Sequence, residues 1–282
     1  MKIARLHRDG AMRPAIQGAD GVWRDASAWV DDWTPVTLGT APWSAHPTPC
    51  SSLPELREPL VFAAPISRPG KIVCIGLNYT DHAREASMPV PTEPVFFLKA
   101  GTSWCGPDED VPIPPGADRM DWEIELAIVI GRRCRHLASA EALDAVLGYT
   151  IMNDVSERAW QLERNGQWTK GKSYDCFAPA GPFIATRDEI ANVQQLAMTL
   201  DVNGTVRQAG NTAHMIFDVA FIVSYVSQFM TLEAGDVIST GTPAGVGLGH
   251  KPPVHLRSGD VMTLTIEGLG RQRQRLVPGD RS

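Results

Sequence analysis

The chain has 282 residues, of which 43% are apolar and 21% are charged, and its formal net charge is −6 at pH 7. This ordinary globular composition with an acidic balance argues against a nucleic-acid-binding protein, which would need a basic face. No apolar run of about 18 residues is present, and the polar start MKIARLHRDG is unlike a signal peptide, so we expect no membrane span and a cytoplasmic location.

The first 65 residues differ in pattern from those that follow. Three short segments predict strands separated by turns, namely MKIARLHRD, RPAIQGA and GVWRDAS. A stretch rich in Pro and Ser follows between residues 35 and 54, and this composition favours an extended connection over a packed element. We therefore predict a small N-terminal β domain with its linker at residues 1–65 and a larger domain at residues 66–282.

The larger domain is predicted to be rich in strands. The predicted strands are KIVCIGLN, VFFLKA (95–100), DWEIELAIVIG (121–131), GYTIMNDVSE, the two halves of LAMTLDVNGTVRQ around Asn203-Gly204, DVISTGTP and VMTLTIEGLG. The predicted helices are a short one at 81–86, another in SAEALDAVLGY, and an apolar core helix over 217–230. Because strands and helices do not alternate regularly, the pattern argues against a Rossmann sheet or a TIM barrel and favours an α+β, mainly-β fold.

The most informative segment is the acidic strand predicted at 121–131. Alternate side chains of a strand share a face, so Glu123 and Glu125 point the same way. Taken alone, this pattern also fits a solvated strand face. The same face continues with the apolar Ala127 and Val129, however, and this favours carboxylates that line a cavity. Two close carboxylates repel each other unless a cation compensates them, and a bound metal is the simplest compensation.

A third carboxylate, Asp154, stands at the end of another predicted apolar strand. Its alternative role is to cap a helix formed by the residues that follow. Two glutamates and a later aspartate suit a hard cation such as Mg²⁺ or Mn²⁺, which takes a few carboxylates and keeps water molecules that a substrate can replace. Zinc is less favoured, because the sequence shows no cluster of His and Cys ligands.

His82 and Glu85 form a candidate catalytic pair. If residues 81–86 are helical, the two side chains are three positions apart and lie on one face. A carboxylate beside an imidazole orients the ring and stabilises its protonated form, which is the arrangement of a general base with its orienting partner. The alternative is a surface pair on an exposed turn.

The cysteines suggest no disulfide framework. Their number is odd, no CxxC motif occurs, and we expect reduced, mostly buried thiols. The five cysteines are Cys50, Cys74, Cys105, Cys134 and Cys176.

Five motifs in one fixed order resemble the fumarylacetoacetate hydrolase family over roughly residues 69–270. They are GLNYTDHAREA, DWEIELAIVIG, NDVSERAWQ, KGKSYDCFAPAGP and ISTGTPAGVG. The resemblance implies the family's mixed β-sandwich roll with a small N-terminal domain, a catalytic domain at 66–282, a homodimer, and an enzyme that uses Mg²⁺ or Mn²⁺.

The resemblance also implies roles for single residues. His82 and Glu85 match the pair that activates water, on a segment that acts as a lid in many members, and Lys172 matches a catalytic lysine near the substrate. The residues that match the metal ligands are Glu123, Glu125 and Asp154. The residues that match the edge and walls of the substrate pocket are Lys99, Arg158, Gln161 and Thr242.

The implied reaction is hydrolysis of a C–C bond in a small anionic 2,4-dioxo acid, either an acylpyruvate or a 2,4-diketo-3-deoxy sugar acid, with release of pyruvate. The stretch NDVSERAWQLERNGQWTKGK resembles the sugar-acid subgroup, although SYDCF at 173–177 departs from that subgroup's GCDTF. An oxaloacetate-type decarboxylase and a ureidoglycolate lyase are alternatives on the same metal site. A non-catalytic metal-binding scaffold is a third alternative, and the presence of both His82 and Glu85 argues against it.

Overall fold

The computed structural model describes residues 1–44 and 46–279, which form 18 strands and six α-helices. The strands are β1 Lys2–Arg8, β2 Ala11–Gln17, β3 Trp23–Asp25, β4 Val61–Phe62, β5 Ile72–Gly76, β6 Val95–Lys99, β7 Trp104–Cys105, β8 Val111–Ile113, β9 Met120–Asp121, β10 Ile124–Ile130, β11 Val146–Asn153, β12 Ser156–Glu157, β13 Ala178–Thr186, β14 Ala197–Val202, β15 Thr205–Asn211, β16 Val237–Ser239, β17 Val261–Ile266 and β18 Gly270–Pro278. The helices are α1 Pro35–Gly39, α2 Thr80–Glu85, α3 Ser139–Ala142, α4 Arg158–Leu162, α5 Thr169–Lys172 and α6 Val219–Phe229. Within the described ranges, no helix has the length and apolar character needed to cross a membrane.

Eleven strands form the larger sheet, whose order is β3-β2-β1-β13-β11-β10-β16-β5-β6, with β4 paired to β1 and β7 paired to β13. The central strand β10 is antiparallel to both of its neighbours, β11 and β16, whereas β16 and β5 run parallel. All seven residues of β10 are buried, so polar groups that this strand carries are held in the interior of the protein.

The N-terminal strands extend the same sheet. Lys2 and Ile3 of β1 pair with Ala185 and Ile184 of β13. Ile3 also belongs to a hydrophobic cluster that contains Val129 of β10. Residues 1–65 therefore share a sheet and part of a core with the rest of the chain, and the division at residue 65 stays a prediction.

A second sheet, with the order β15-β14-β17-β18-β8, packs over the first. Leu200 of β14 and Leu264 of β17 belong to the same buried cluster as Leu126 and Ile128 of β10. Helix α6 contributes Ile222 to this cluster. Two sheets that enclose one core confirm the predicted α+β, mainly-β class.

Three elements differ from the sequence-based expectations. The acidic segment is not one continuous strand, because β9 pairs with β12 in a separate two-stranded sheet and β10 begins only at Ile124. The helix predicted in SAEALDAVLGY is a single short turn of helix followed by β11, which starts at Val146. Helix α6 buries only one face, since Phe221 is 41% exposed and Phe229 is 57% exposed.

Candidate active site

The pairing of β10 with β11 brings the three predicted metal ligands together. Ile124 lies opposite Asn153, and one step beyond this pair the Asp154 amide donates to the Glu123 carbonyl at 2.9 Å. Glu125 follows two positions along the chain, so its side chain returns to the same side as Glu123. One carboxylate oxygen from each of Glu123, Glu125 and Asp154 lies within 4.8 Å of the other two, and all three residues are buried.

Glu125 is the most isolated of the three carboxylates. Its Oε2 accepts hydrogen bonds from the Ser239 hydroxyl at 2.5 Å and from the Gly241 amide at 2.9 Å, both at the end of β16. Burial raises its pKa well above the ordinary value, and the nearby charges of Asp154 and Glu123 raise it further. In the described part of the chain Glu125 forms no ion pair with a Lys or Arg.

Two buried lysines contact the other two carboxylates. The Lys172 ammonium donates to Glu123 at 2.6 Å and to Asp154 at 2.8 Å. Lys99 donates to the other oxygen of Asp154 and, at 3.2 Å, to the Val155 carbonyl. Burial alone would lower the pKa of Lys172, but the charges of Asp154 and Glu123 outweigh it and raise the pKa, so the ammonium stays protonated.

Arg158 connects the metal site with its surroundings. Its Nε donates to Asp121 at 2.7 Å, its Nη1 donates to Gln161 at 2.9 Å, and its Nη2 lies 2.6 Å from a Glu123 oxygen. Burial would raise the pKa of Glu123, but Lys172 and Arg158 together lower it to about 2. Glu123 is therefore an anion over the whole physiological pH range.

The fully ionised cluster carries one more negative charge than positive charges. Its buried ionisable groups are the carboxylates of Asp121, Glu123, Glu125 and Asp154 and the cationic groups of Lys99, Lys172 and Arg158. When all of them are ionised, four negative charges stand against three positive ones, and burial beside Asp154 and Glu123 raises the pKa of Glu125, so that this carboxyl keeps a proton more readily when no metal is bound. A divalent cation would remove this deficit. Because the donor set consists only of oxygens, it fits Mg²⁺ or Mn²⁺ better than a thiophilic metal.

His82 and Glu85 lie on one face of α2, as the spacing predicts. The His82 Nδ1 is 3.0 Å from Glu85 Oε2, and Glu85 Oε1 accepts a hydrogen bond from the Gly245 amide at 2.9 Å. A Cβ atom at Gly249 would stand 2.3 Å from the Glu85 carboxyl carbon, so a larger residue there would displace this carboxylate from its observed position. The imidazole therefore has an orienting partner that is itself held by a second segment.

The metal-site carboxylates and the His82–Glu85 pair open onto one cavity of about 510 Å³. Its lining includes nine of the ten predicted site residues, namely His82, Glu85, Glu123, Glu125, Asp154, Arg158, Gln161, Lys172 and Thr242. Much of the remaining wall is apolar and is formed by Leu77, Phe97, Leu162, Trp168 and Leu248. An apolar wall with a few polar and charged groups is typical of a small-molecule site.

Two predicted substrate contacts are placed differently from the expectation. Lys99 is 4% exposed and is not part of the cavity lining, so its contacts favour a role in holding Asp154. Thr242 does line the cavity, but its hydroxyl donates to the Ile124 carbonyl at 2.8 Å and accepts from Gln208 at 2.7 Å. Its hydroxyl is therefore engaged in holding the loop against β10.

No role was predicted for Asp121, but the structure shows that it contacts both Arg158 and the loop at residues 247–248. Its carboxylate is fully buried and accepts hydrogen bonds from the amides of Gly247 at 2.6 Å and Leu248 at 2.9 Å, besides its ion pair with Arg158. Its position at the start of the acidic motif was the only available signal. The aromatic pair of Phe97 and Trp168, whose ring centroids are 5.5 Å apart, had none.

Comparisons with known proteins agree with this geometry. The family model described as fumarylacetoacetate (FAA) hydrolase C-terminal matches residues 71–277. A 2,4-didehydro-3-deoxy-L-rhamnonate hydrolase from a Sphingomonas species is 47% identical over 277 residues, which cover 98% of this chain and 96% of that relative.

Two solved structures extend the comparison. A fumarylacetoacetate hydrolase from the psychrophile Exiguobacterium antarcticum superposes with a TM-score of 0.89 at 38% identity and covers 99% of both chains. A maleylpyruvate hydrolase from a Sphingobium species, in complex with manganese(II) and pyruvate, has a TM-score of 0.79 at 29% identity and covers 99% of this chain and 100% of that one. The chain belongs to the fumarylacetoacetate hydrolase family of enzymes.

Proposed function

We propose that this protein hydrolyses the C3–C4 bond of a small 2,4-dioxo acid and releases pyruvate, with Mg²⁺ or Mn²⁺ held by Glu123, Glu125 and Asp154. The observation that carries the proposal is that the three buried carboxylates and the His82–Glu85 pair line the same cavity. The Sphingomonas relative is named for a 2,4-didehydro-3-deoxy sugar acid, and the Sphingobium neighbour contains manganese(II) and pyruvate. Both names support this substrate class.

The metal contributes one part of the chemistry. When bound, a divalent cation supplies Lewis-acid stabilisation of negative charge that develops on the oxygens of a 2-oxo acid. Lys172 and Arg158 hold two more positive charges beside the carboxylates and line the cavity. Fixed charges of this kind stabilise the pyruvate enolate as the C–C bond breaks, which is where a rate gain is expected.

His82 acts as the general base. Its Nδ1 faces Glu85, so the other ring nitrogen is left to take a proton from water in the cavity. The resulting hydroxide attacks the 4-carbonyl, C3–C4 cleaves, and the enolate takes a proton at C3 to give pyruvate and a second acid. Glu85 stabilises the protonated imidazole, and its bond to the Gly245 amide fixes its orientation.

Hydrolysis is favoured over the alternative reactions by this same pair. Decarboxylation of an oxaloacetate-type acid needs stabilisation of an enolate but no attacking water, so a positioned base would be unnecessary. A ureidoglycolate lyase would use the same metal site and has no separate support in the geometry. The deciding experiment measures pyruvate release from an acylpyruvate, a 2,4-dioxo-3-deoxy sugar acid and oxaloacetate side by side.

We expect the wild-type enzyme to release pyruvate from a 2,4-dioxo acid and the His82→Ala variant to lose this activity. If oxaloacetate is the only substrate, and if His82→Ala keeps full activity on it, the decarboxylase replaces the proposal. The homodimer and the cytoplasmic location stay predictions, and light scattering on purified protein tests the first of them.

A further inference from the structure

Two of the cysteines lie together with a glutamate outside the active-site cavity. One sulfur or oxygen atom from each of Cys105, Glu109 and Cys176 lies within 4.8 Å of the other two. Cys105 is buried, Cys176 is half-buried and Glu109 is exposed, so an ion could reach the cluster from solvent. All five cysteines are free thiols, as the sequence predicts. None of the three clustered residues lines the cavity that holds the carboxylates.

The fold brings the two thiols together through a parallel strand pair. Trp104 and Cys105 of β7 lie opposite Ala178 and Pro179 of β13, and Cys176 stands two residues before the start of β13. The Cys176 amide donates to the Thr102 carbonyl at 3.4 Å. Cys176 has a φ of 56°, a left-handed conformation that non-glycine residues seldom adopt and that often marks a functional position.

The carboxylate of Glu109 is held in place for this cluster. Its Oε1 accepts a hydrogen bond from the Gly106 amide at 2.7 Å. A Cβ atom at Gly106 would lie 2.8 Å from the same oxygen, so a larger residue there would displace the carboxylate from this position. Such support around a ligand fixes its orientation and leaves the second oxygen available for an ion.

The chemistry of these donors differs from that of the active site. Thiolates are soft ligands that select Zn²⁺-like ions, whereas the three catalytic carboxylates suit hard cations. In a tetrahedral zinc site with Zn–S bonds of about 2.3 Å the sulfurs are about 3.8 Å apart, which the observed cluster allows.

We propose that Cys105, Glu109 and Cys176 form a second metal site, which takes a thiophilic divalent cation of the Zn²⁺ class with water as the fourth ligand. The chain before Cys105 contains Lys99 at the end of β6, and the chain before Cys176 contains Lys172 at the end of α5. A cation at this site joins the two segments that supply both lysines of the catalytic cluster.

The test uses Cd²⁺ as the probe, because cadmium–thiolate bonds absorb in the ultraviolet. Reduced full-length protein is first saturated with Mn²⁺ and then titrated with Cd²⁺, while bound manganese is measured by metal analysis. We expect one Cd²⁺ per chain with thiolate absorption and no loss of manganese. Cys105→Ser and Cys176→Ser should lose the absorption, and Glu109→Gln should weaken cadmium binding by about tenfold or more.

Cys50→Ser is the matched control, since Cys50 is also a half-buried free thiol but lies elsewhere, and it should bind cadmium as the wild type does. The proposal is overturned if no cadmium binds beyond the manganese, or if Cys176→Ser keeps the full absorption. If circular dichroism shows that either serine variant is unfolded, the exposed Glu109→Gln variant provides the test. An unchanged cadmium affinity of Glu109→Gln also overturns the proposal.

Discussion

The carboxylates and the histidine that line the cavity are positioned in different ways. Glu123, Glu125 and Asp154 lie in or directly beside the paired strands β10 and β11 of the large sheet and are at most 7% exposed. His82 and Glu85 belong to a six-residue helix, and their side chains are 13% and 18% exposed. Sheet register positions the carboxylates and buries like charges together, whereas Glu85 on the helix is held by the Gly245 amide of a separate loop. Changes to the carboxylates should therefore alter metal binding and stability, and changes to the helix should alter turnover alone.

The largest effect is expected from Glu125→Gln. The amide oxygen can still accept from Ser239 and Gly241, so the fold keeps both hydrogen bonds, but a charged ligand is lost. Because Lewis-acid stabilisation is worth several kcal/mol, we expect pyruvate release to fall by about 10³-fold or more. Manganese titration should show weakened binding in parallel. Unchanged manganese affinity would exclude Glu125 as a ligand.

His82→Ala should have the next largest effect. Loss of a general base is expected to lower the hydrolysis rate by about 10²-fold or more. Manganese affinity should stay at the wild-type value, because no contact of His82 supports a metal ligand directly. Arg84→Ala on the same helix is the matched control, since Arg84 is exposed and does not line the cavity. If His82→Ala and Arg84→Ala lower the hydrolysis rate equally, the rate depends on the helix as a whole and not on the imidazole.

Glu85→Gln should lower turnover less than His82→Ala. The variant keeps the shape of the side chain but loses the charge that stabilises the protonated imidazole. A hydrogen bond to a charged group is worth about 1.5–3 kcal/mol, so a loss of about tenfold or more in kcat is expected. The KM should change little if Glu85 acts only through His82. A raised KM with normal kcat would instead place Glu85 in substrate binding.

The smallest expected effect is on the stability of metal-free protein. Burial raises the folded-state pKa of Glu125 above its ordinary value of 4.5. Ionisation of this carboxyl therefore lowers the free energy of unfolding. Metal-free wild type should lose stability as the pH rises from 4.5 towards that raised pKa, and metal-free Glu125→Gln should lack this contribution. Urea unfolding at several pH values measures the difference. If metal-free Glu125→Gln is less stable than metal-free wild type at neutral pH, the negative charge of Glu125 is compensated by another group.

The parts of the site that depend on local pattern were predictable from the sequence. Strand alternation placed Glu123 and Glu125 on one side, and helical spacing placed His82 beside Glu85, as the structure confirms. Asn203-Gly204 gave the predicted hairpin between β14 and β15. In each case the interacting residues are neighbours in sequence, so periodicity and turn residues carry the information.

The parts that depend on distant pairing were not predictable in the same way. No pattern within residues 1–65 indicated that β1 would pair with β13. The contacts of Lys99 and Asp121 arise from elements far apart in the chain, and only the tertiary fold shows that these residues support other side chains. The strand β13 also went unpredicted, because its Ala, Gly and Pro residues lack the usual alternation.

In the proposed function, three buried carboxylates hold one divalent cation on which the activity depends. The most direct measurement removes metal with a chelator, returns Mn²⁺ in steps, and follows bound metal and pyruvate release together. We expect negligible pyruvate release without metal and a rise in pyruvate release that parallels the binding of one Mn²⁺ per chain. Full turnover by protein shown to be free of metal would contradict the proposed function.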